Sequence, residues 1–202
     1  MSSLKLKHSG GNGVIIAAPS SNPASDRTLT VPSNADGTIL TTTSPKAGNI
    51  IQVLQTVKTD TFSTNSTSYT DITGLSVAIT PTSTSSKILV TFHVNLGHTN
   101  YVSGFVRLMR DSTAISVGDT ASSRIVATVA MSDDPVDDEI NCYSATFLDS
   151  PSTTSATTYK LQITTESEAN TGDVFVNRSG EDTDNAQHSR VVSSITVMEV
   201  AA

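Results

Sequence analysis

The clearest signal along this chain of 202 residues is a period of two. Ile88, Val90, Phe92, Val94 and Leu96 fall on one side of an extended segment, with Leu89, Thr91, His93 and Asn95 on the other. That is the pattern of a strand with one face in a core and one toward solvent. The alternation recurs where Leu75, Val77 and Ile79 interleave with Ser76, Ala78 and Thr80 until Pro81. It recurs again where Tyr143, Ala145 and Phe147 oppose Cys142, Ser144 and Thr146, and where Tyr159, Leu161 and Ile163 share a side. Residues 105–109, 114–117, 124–131, 174–176 and 191–200 read as further strands, separated by turn signals such as Gly97, Asp111-Ser112 and Gly118-Asp119. Residues 50–57 are apolar on both sides, which predicts a central strand or one covered at an interface. About nine or ten strands and no amphipathic helix predict an all-β, jelly-roll-like antiparallel β-sandwich over residues 49–202.

Upstream of residue 49 the pattern changes. No Phe, Tyr or Trp precedes Phe62, and short extended pieces at residues 4–7, 14–17, 29–31 and 38–40 are divided by Gly10, Gly11, Gly13, Pro19, Pro23, Pro32 and Gly37. Such punctuation forbids long helices and marks turns. Residues 1–48 hold too few apolar side chains for a core of their own, so they are expected to form an extended arm that needs a partner. The side chains available for that contact are Leu4, Leu6, His8, Val14, Ile16, Leu29, Val31, Ile39 and Leu40.

One echo links two loops. A strand end, a proline and a hydroxyl-rich stretch run from Ile79 through Pro81 to Lys87, and again from Leu148 through Pro151 to Lys160. Either a hairpin is duplicated or one turn chemistry is used twice. The flanking strands do not match, which favours the second.

Composition narrows the classes of function. Ser and Thr make up about three residues in ten while charged residues are only 15%, so the surface is solvated by hydroxyls more than by charges. A net charge of -7 with scattered Lys and Arg argues against nucleic acid as a partner, because that binding depends on cations displacing counterions. Cys142 is the single cysteine, which excludes an intrachain disulfide and a cysteine-based zinc site. The N-terminal residues do not have the form of a signal peptide, and no apolar run reaches the roughly 18 residues of a membrane span. The expectation is a protein made in cytoplasm without membrane insertion.

Candidate chemistry is sparse. Asp133, Asp134, Asp137, Asp138 and Glu139 offer hard oxygen ligands of the kind Ca²⁺ takes, but their spacing is not that of an EF-hand, and Pro135 suits a solvated loop. Glu181, Asp182 and Asp184 form a second acidic cluster of the same ambiguity. His8, His93, His98 and His188 lie in no nucleophile motif, and Gly-x-Ser-x-Gly is absent. Without Trp and with four Tyr, little material exists for a sugar-stacking cleft, so neither catalysis nor a cofactor is expected. Gly10-Gly11-Asn12-Gly13 lacks the ending of a phosphate loop and reads as a turn. Asn65-Ser66-Thr67 and Asn177-Arg178-Ser179 match the glycosylation pattern by chance in a chain expected to stay in cytoplasm.

Two sets of residues carry a resemblance. The run from Leu4 to Gly13, followed by Ala17-Ala18-Pro19 and Asn22-Pro23, resembles the leading segments of tail-fibre-like structural proteins from phages of marine bacteria, of cyanophage type. The ending from Ser193 to Val200, with Tyr69-Thr70-Asp71-Ile72 and Ser86-Lys87-Ile88-Leu89-Val90, looks like the β-domain of virion proteins from that group. The resemblance implies a non-enzymatic virion component, commonly a homotrimer, fixed to the particle by its N-terminal part with the C-terminal part outward. Residues 1–48 would then be the attachment arm and residues 49–202 the displayed domain, with Ile50, Ile51, Val53 and Leu54 at the interface between copies. A short tail fibre that contacts a host glycan or receptor and a head fibre or capsid decoration protein both satisfy this reading. A calcium-dependent carbohydrate-binding module, with the acidic loop at residues 133–139 as its metal site, is the alternative from a different class.

Overall fold

The computed structural model describes residues 3–7, 9–11, 13–17, 45–99, 101–132, 138–166 and 172–202. The chain divides into two compact units, Met1–Ile39 and Leu40–Ala202. In the first, β1 (Ser3–Lys7) and β2 (Gly13–Ala17) form an antiparallel hairpin that pairs Leu4 with Ile16 and Leu6 with Val14. The glycines between them supply the turn, as their spacing predicts; Gly11 has φ of 96°.

In the second unit the described strands are β3 (Ile50–Lys58), β4 (Phe62–Thr64), β5 (Thr70–Ile79), β6 (Lys87–His98), β7 (Gly104–Arg110), β8 (Thr113–Ile115), β9 (Val129–Met131), β10 (Asn141–Asp149), β11 (Thr157–Thr165), β12 (Val174–Val176) and β13 (Ser193–Val200). No helix occurs among the described residues. β3 and β4 follow each other along one sheet edge, pairing with β13 and β12; β12 and β13 in turn share one side of β6, and β10 takes its other side. β8 and β9 likewise share one side of β7 while β11 takes the other. Counting each collinear pair as one row gives eight rows among the described residues. Each row pairs with its mirror image in the chain: first with eighth, second with seventh, third with sixth, fourth with fifth. This nested pairing, rolled into two sheets, is the jelly-roll form of the β-sandwich. The all-β, antiparallel jelly-roll expectation holds.

Alternation explains the core. In the first sheet the register places Phe92, Ile195 and Ala145 in one transverse line, and Val90, Val197 and Phe147 in the next. Phe92, Val90, Ile195 and Val197 are at most 4% exposed. The second sheet answers with Leu161 beside Leu108, Ile163 beside Val106, and Val77 and Leu75 from its edge. Burying each such side chain contributes about 1.5–3 kcal/mol, so the core alone accounts for the strand period.

Three sequence expectations change. Residues 124–128 are not a strand: only Val129–Met131 pairs with β7, and the residues before it line an open cleft together with Phe105. β4, set among hydroxyl residues with one large apolar side chain, had no period to reveal it. Residues 50–57 are not central, because β3 pairs with β13 alone among the described strands.

Candidate interaction face

Register divides the exposed apolar residues of β3. Val53 pairs with Met198 and Val57 with Ser194, positions whose side chains leave the core, whereas Leu54 pairs with the core residue Val197. Ile50, Val53 and Val57 are half exposed or more, and Leu54, turned inward at the sheet edge, is still 39% exposed. The ladder is irregular between Glu199 and Val200, so Ile51 has no paired position opposite it. The four residues expected at an interface therefore do not form one patch: Ile50 and Val53 stand on the outer face, Leu54 on the inner edge, and Ile51 at the bulge.

The outer face continues across the sheet. Val53 pairs with Met198, Met198 with Leu89, and Leu89 with Leu148, so one apolar line crosses all four rows. The next line is Gln55, Thr196, Thr91 and Thr146, with Gln55 Nε2 donating to Thr196 Oγ1 at 2.8 Å. Beyond it stand Val57, Ser194, His93 and Ser144. The sequence assigned Leu89 to the solvent side of its strand, but only the register joins it to Met198 and Leu148. No local signal carries that information.

The outer face of the other sheet is built differently. Lys160 Nζ donates to Asp71 at 2.7 Å, Gln162 donates to the same carboxylate at 2.7 Å, and Arg107 donates to Gln162. The Arg107 guanidinium also stacks over Tyr69, 3.9 Å from the ring centroid. The hydrogen bond from Lys160 holds the Asp71 carboxyl below its ordinary range, more than offsetting the small effect of burial. This face is satisfied by its own charges.

Polar groups inside the sandwich are structural in their bonding. Glu199, 0% exposed, accepts from Gln52 Nε2 at 2.6 Å and from both the amide and the hydroxyl of Thr82 at 2.7 Å. Burial pushes its carboxyl up, and the hydrogen bonds from Gln52, Thr82 and Ser86 together pull it below the ordinary value. Across Ile88 in the same register line stands Asp149, which accepts from Tyr159 at 2.6 Å and from Arg110 at 2.8 Å. Burial first, then that hydrogen bond, raises the Tyr159 phenol so that it remains a donor. Both proline-containing loops of the sequence echo meet at this end, where Lys87 Nζ donates to Ser150 Oγ at 2.7 Å. At the break between β12 and β13, Asn177 is fully buried at φ 66°. Its amide donates to Lys58 O at 2.9 Å and Asp60 O at 3.0 Å and accepts from Ser193 Oγ at 2.6 Å. That burial leaves the glycosylation motif at Asn177 without an accessible acceptor.

The expected metal loop is divided by what the structure describes: Asp133, Asp134 and Asp137 lie outside the described residues, while Asp138 and Glu139 are exposed. Among the described residues no three His, Cys, Asp or Glu side chains gather as metal ligands. In the second acidic cluster Asp182 is paired with Arg190, and the His188 ring stands 3.4 Å from Glu181. His8, Leu29, Val31, Ile39 and Leu40 of the expected arm also lie outside the described residues. Leu4, Leu6, Val14 and Ile16 lie on the β1–β2 hairpin, where Leu6 is 56% exposed. An open cleft of about 290 Å³ is lined by Phe105 and by residues of the 118–130 segment, Asp119 and Arg124 among them. No described helix is long and apolar enough to cross a membrane.

No family model and no curated protein matches the chain. Solved structures do. Structures of the Gt and Gx strains of infectious bursal disease virus align with 95% of this chain at 15% identity, with TM-scores of 0.40 and 0.41. The VP2 subviral particle of the same virus aligns with 95% at 16% identity and a TM-score of 0.35. This chain covers 47% of each of the first two chains and 52% of the third, so it spans about half the length of what it matches. A likeness at this level says nothing of function.

Proposed function

We propose that this protein is a non-enzymatic structural component of a phage virion. In this reading residues 1–48 fix it to the particle, the jelly roll is displayed, and the chain works as a homotrimer. The observation that carries the reading is the free edge of the sandwich. β3 runs for nine residues with no strand on its outer side among the described residues. Between Ile50 and Val57 it carries neither charge nor proline. Soluble monomers blunt such edges with charges, prolines, bulges or cover, because an unpaired apolar strand recruits another chain; from Ile50 to Val57 the bulge at Ile51 is the device present on the strand itself. An assembly closed by cyclic symmetry covers it. The resemblance of residues 4–23 to the leading segments of phage fibre proteins supports attachment by the N-terminal part.

Within the virion, the tail-fibre reading assigns the displayed domain to host contact, and a head fibre or decoration protein uses the same parts on the capsid. Quantitative mass spectrometry of purified virions separates them. A few copies per particle are expected for the tail and capsid-scale copy number for decoration, while absence from virions overturns both. Particles grown with a chain lacking residues 1–48 are expected to lose the protein although its sandwich still folds.

A further inference from the structure

We infer that the outer face of the β3–β13–β6–β10 sheet is covered, in the working protein, by another copy of this chain. This deepens the assembly reading above by naming the surface. Val53, Met198, Leu89 and Leu148 form an unbroken line across the sheet, and Val53 and Leu148 are 54% and 53% exposed. At about 4.8 Å between strands the line is roughly 14 Å long, and Ile50 and Val57 extend it along β3. A contiguous apolar patch bordered by polar residues is the usual mark of a contact surface.

Charge says what covers it. The chain carries a net charge of -7, so two copies repel wherever their carboxylates meet. The outward positions of β3, β13, β6 and β10 include no Asp or Glu: the acids on these strands, Glu199 and Asp149, both point into the core. The charged Lys87 is held by Ser150 Oγ, and His93 lies against Ser194 Oγ and the Val192 carbonyl. A basic partner gains nothing from a face without carboxylates, and a second copy meets it without like charges opposed. The other outer face, with Lys160 paired to Asp71 and Arg107 held by Gln162, has the make-up of a surface left to water. Size agrees as well. Strands of eight to twelve residues in four rows give a face of about 30 by 15 Å, roughly 450 Å² in projection, which side-chain relief enlarges. Standard interfaces take about 800 Å² per partner.

The test is light scattering of the full-length protein over a concentration series, with Leu89→Glu and Leu148→Glu on this face and Ala78→Glu on the exposed side of β5 as control. Circular dichroism and melting establish that each variant folds. The native Cys142, exposed at an outward position of β10, provides a second readout through its rate of maleimide labelling. Self-association of the wild type, weakened at least about tenfold in Kd by either Leu substitution but not by Ala78→Glu, supports the inference. So does faster labelling of Cys142 in those two variants. Association that both Leu variants retain, with Cys142 labelled at an unchanged rate, overturns this surface and leaves the assembly reading in place. A wild type that stays monomeric at about 100 μM overturns the inference outright, and mass spectrometry of virions then decides the virion reading separately.

Discussion

Replacing Asn177 by Ala tests whether one side chain holds two broken rows of the sandwich together. The first row is interrupted between β3 and β4 and the eighth between β12 and β13, and the amide of Asn177 reaches across to Lys58 O, Asp60 O and Ser193 Oγ. Removing it strands the Lys58 carbonyl, on a residue 2% exposed, while the Asp60 carbonyl, on an exposed residue, can turn to water. Ser193 Oγ still accepts from Asn95 N at 3.0 Å but loses its acceptor. Each buried group left unsatisfied costs about 1–3 kcal/mol, and Ala in the left-handed region costs roughly 1 kcal/mol more than Asn. The expected loss is about 3–7 kcal/mol. For a domain of this size that lowers Tm by roughly 6 °C or more, read by urea and thermal unfolding at pH 7. Asn177→Asp adds a sign. The introduced carboxylate faces two carbonyl oxygens, so its folded-state pKa rises above the unfolded value near 3.9. The deficit relative to wild type is then small below about pH 4 and grows as pH rises. A loss below about 1 kcal/mol for Asn177→Ala, or a deficit of Asn177→Asp that does not change with pH, refutes the staple.

Two further outcomes follow from single contacts. Glu199 is held below its ordinary carboxyl value of 4.5, so the stability it contributes is present above that pH and is lost as pH falls through the lower folded value. Glu199→Gln places an amide N–H against Thr82 N or Gln52 Nε2, whichever way it turns. It is expected to cost about 2–3 kcal/mol at pH 7, with the gap to wild type closing below about pH 4.5 in urea titrations; a gap constant with pH refutes the assignment. Gly97 admits no side chain, because a Cβ there meets Arg178 O at 2.5 Å and Ser179 Cα at 2.8 Å. Gly97→Ala is expected to lose about 1–3 kcal/mol, whereas Gly118→Ala, whose Cβ meets only Ala127 O at 3.9 Å, stays within about 0.5 kcal/mol of wild type by thermal melts.

How much was legible follows from how far each cause reaches. Strand type is local: the alternation from Ile88 to Leu96 needs only its own residues, and β6 appears where the period puts it. Length of period is also what misled at residues 124–128. Ile125 and Val126 are apolar, but they line the cleft beside Phe105, and the backbone here turns to other partners: Tyr69 donates to Val126 O at 2.7 Å and Gly118 N to Ala127 O at 3.1 Å. Asn177 gave a signal of the wrong kind, a glycosylation pattern, because its role depends on Lys58 and Ser193, far away in the chain. Pairing order is non-local outside the β1–β2 and β7–β8 hairpins. β3 is expected to be central or covered at an interface because apolar residues on both sides normally mean cover on both sides, and among the described strands it is an edge, not central.

That last difference is what gives the chain its functional direction. An edge strand of Ile, Val and Leu is not an error of patterning if the pattern belongs to the assembly and not to the protomer. The two outer faces make the point within one molecule. Both alternate, both present every second residue, and hydropathy period alone does not distinguish them. One converts its outward positions into a network in which Lys160 ion-pairs with Asp71, Gln162 donates to the same carboxylate and Arg107 donates to Gln162. The other leaves Leu89 and Leu148 beside hydroxyl residues without an outward carboxylate. Solvent selects the first arrangement and a protein surface selects the second. Since the same strand alternation generates both, the two outer faces differ in the identity of the outward residues once register has aligned them, and in the assembly proposed above that identity is what separates a wet face from a contact face.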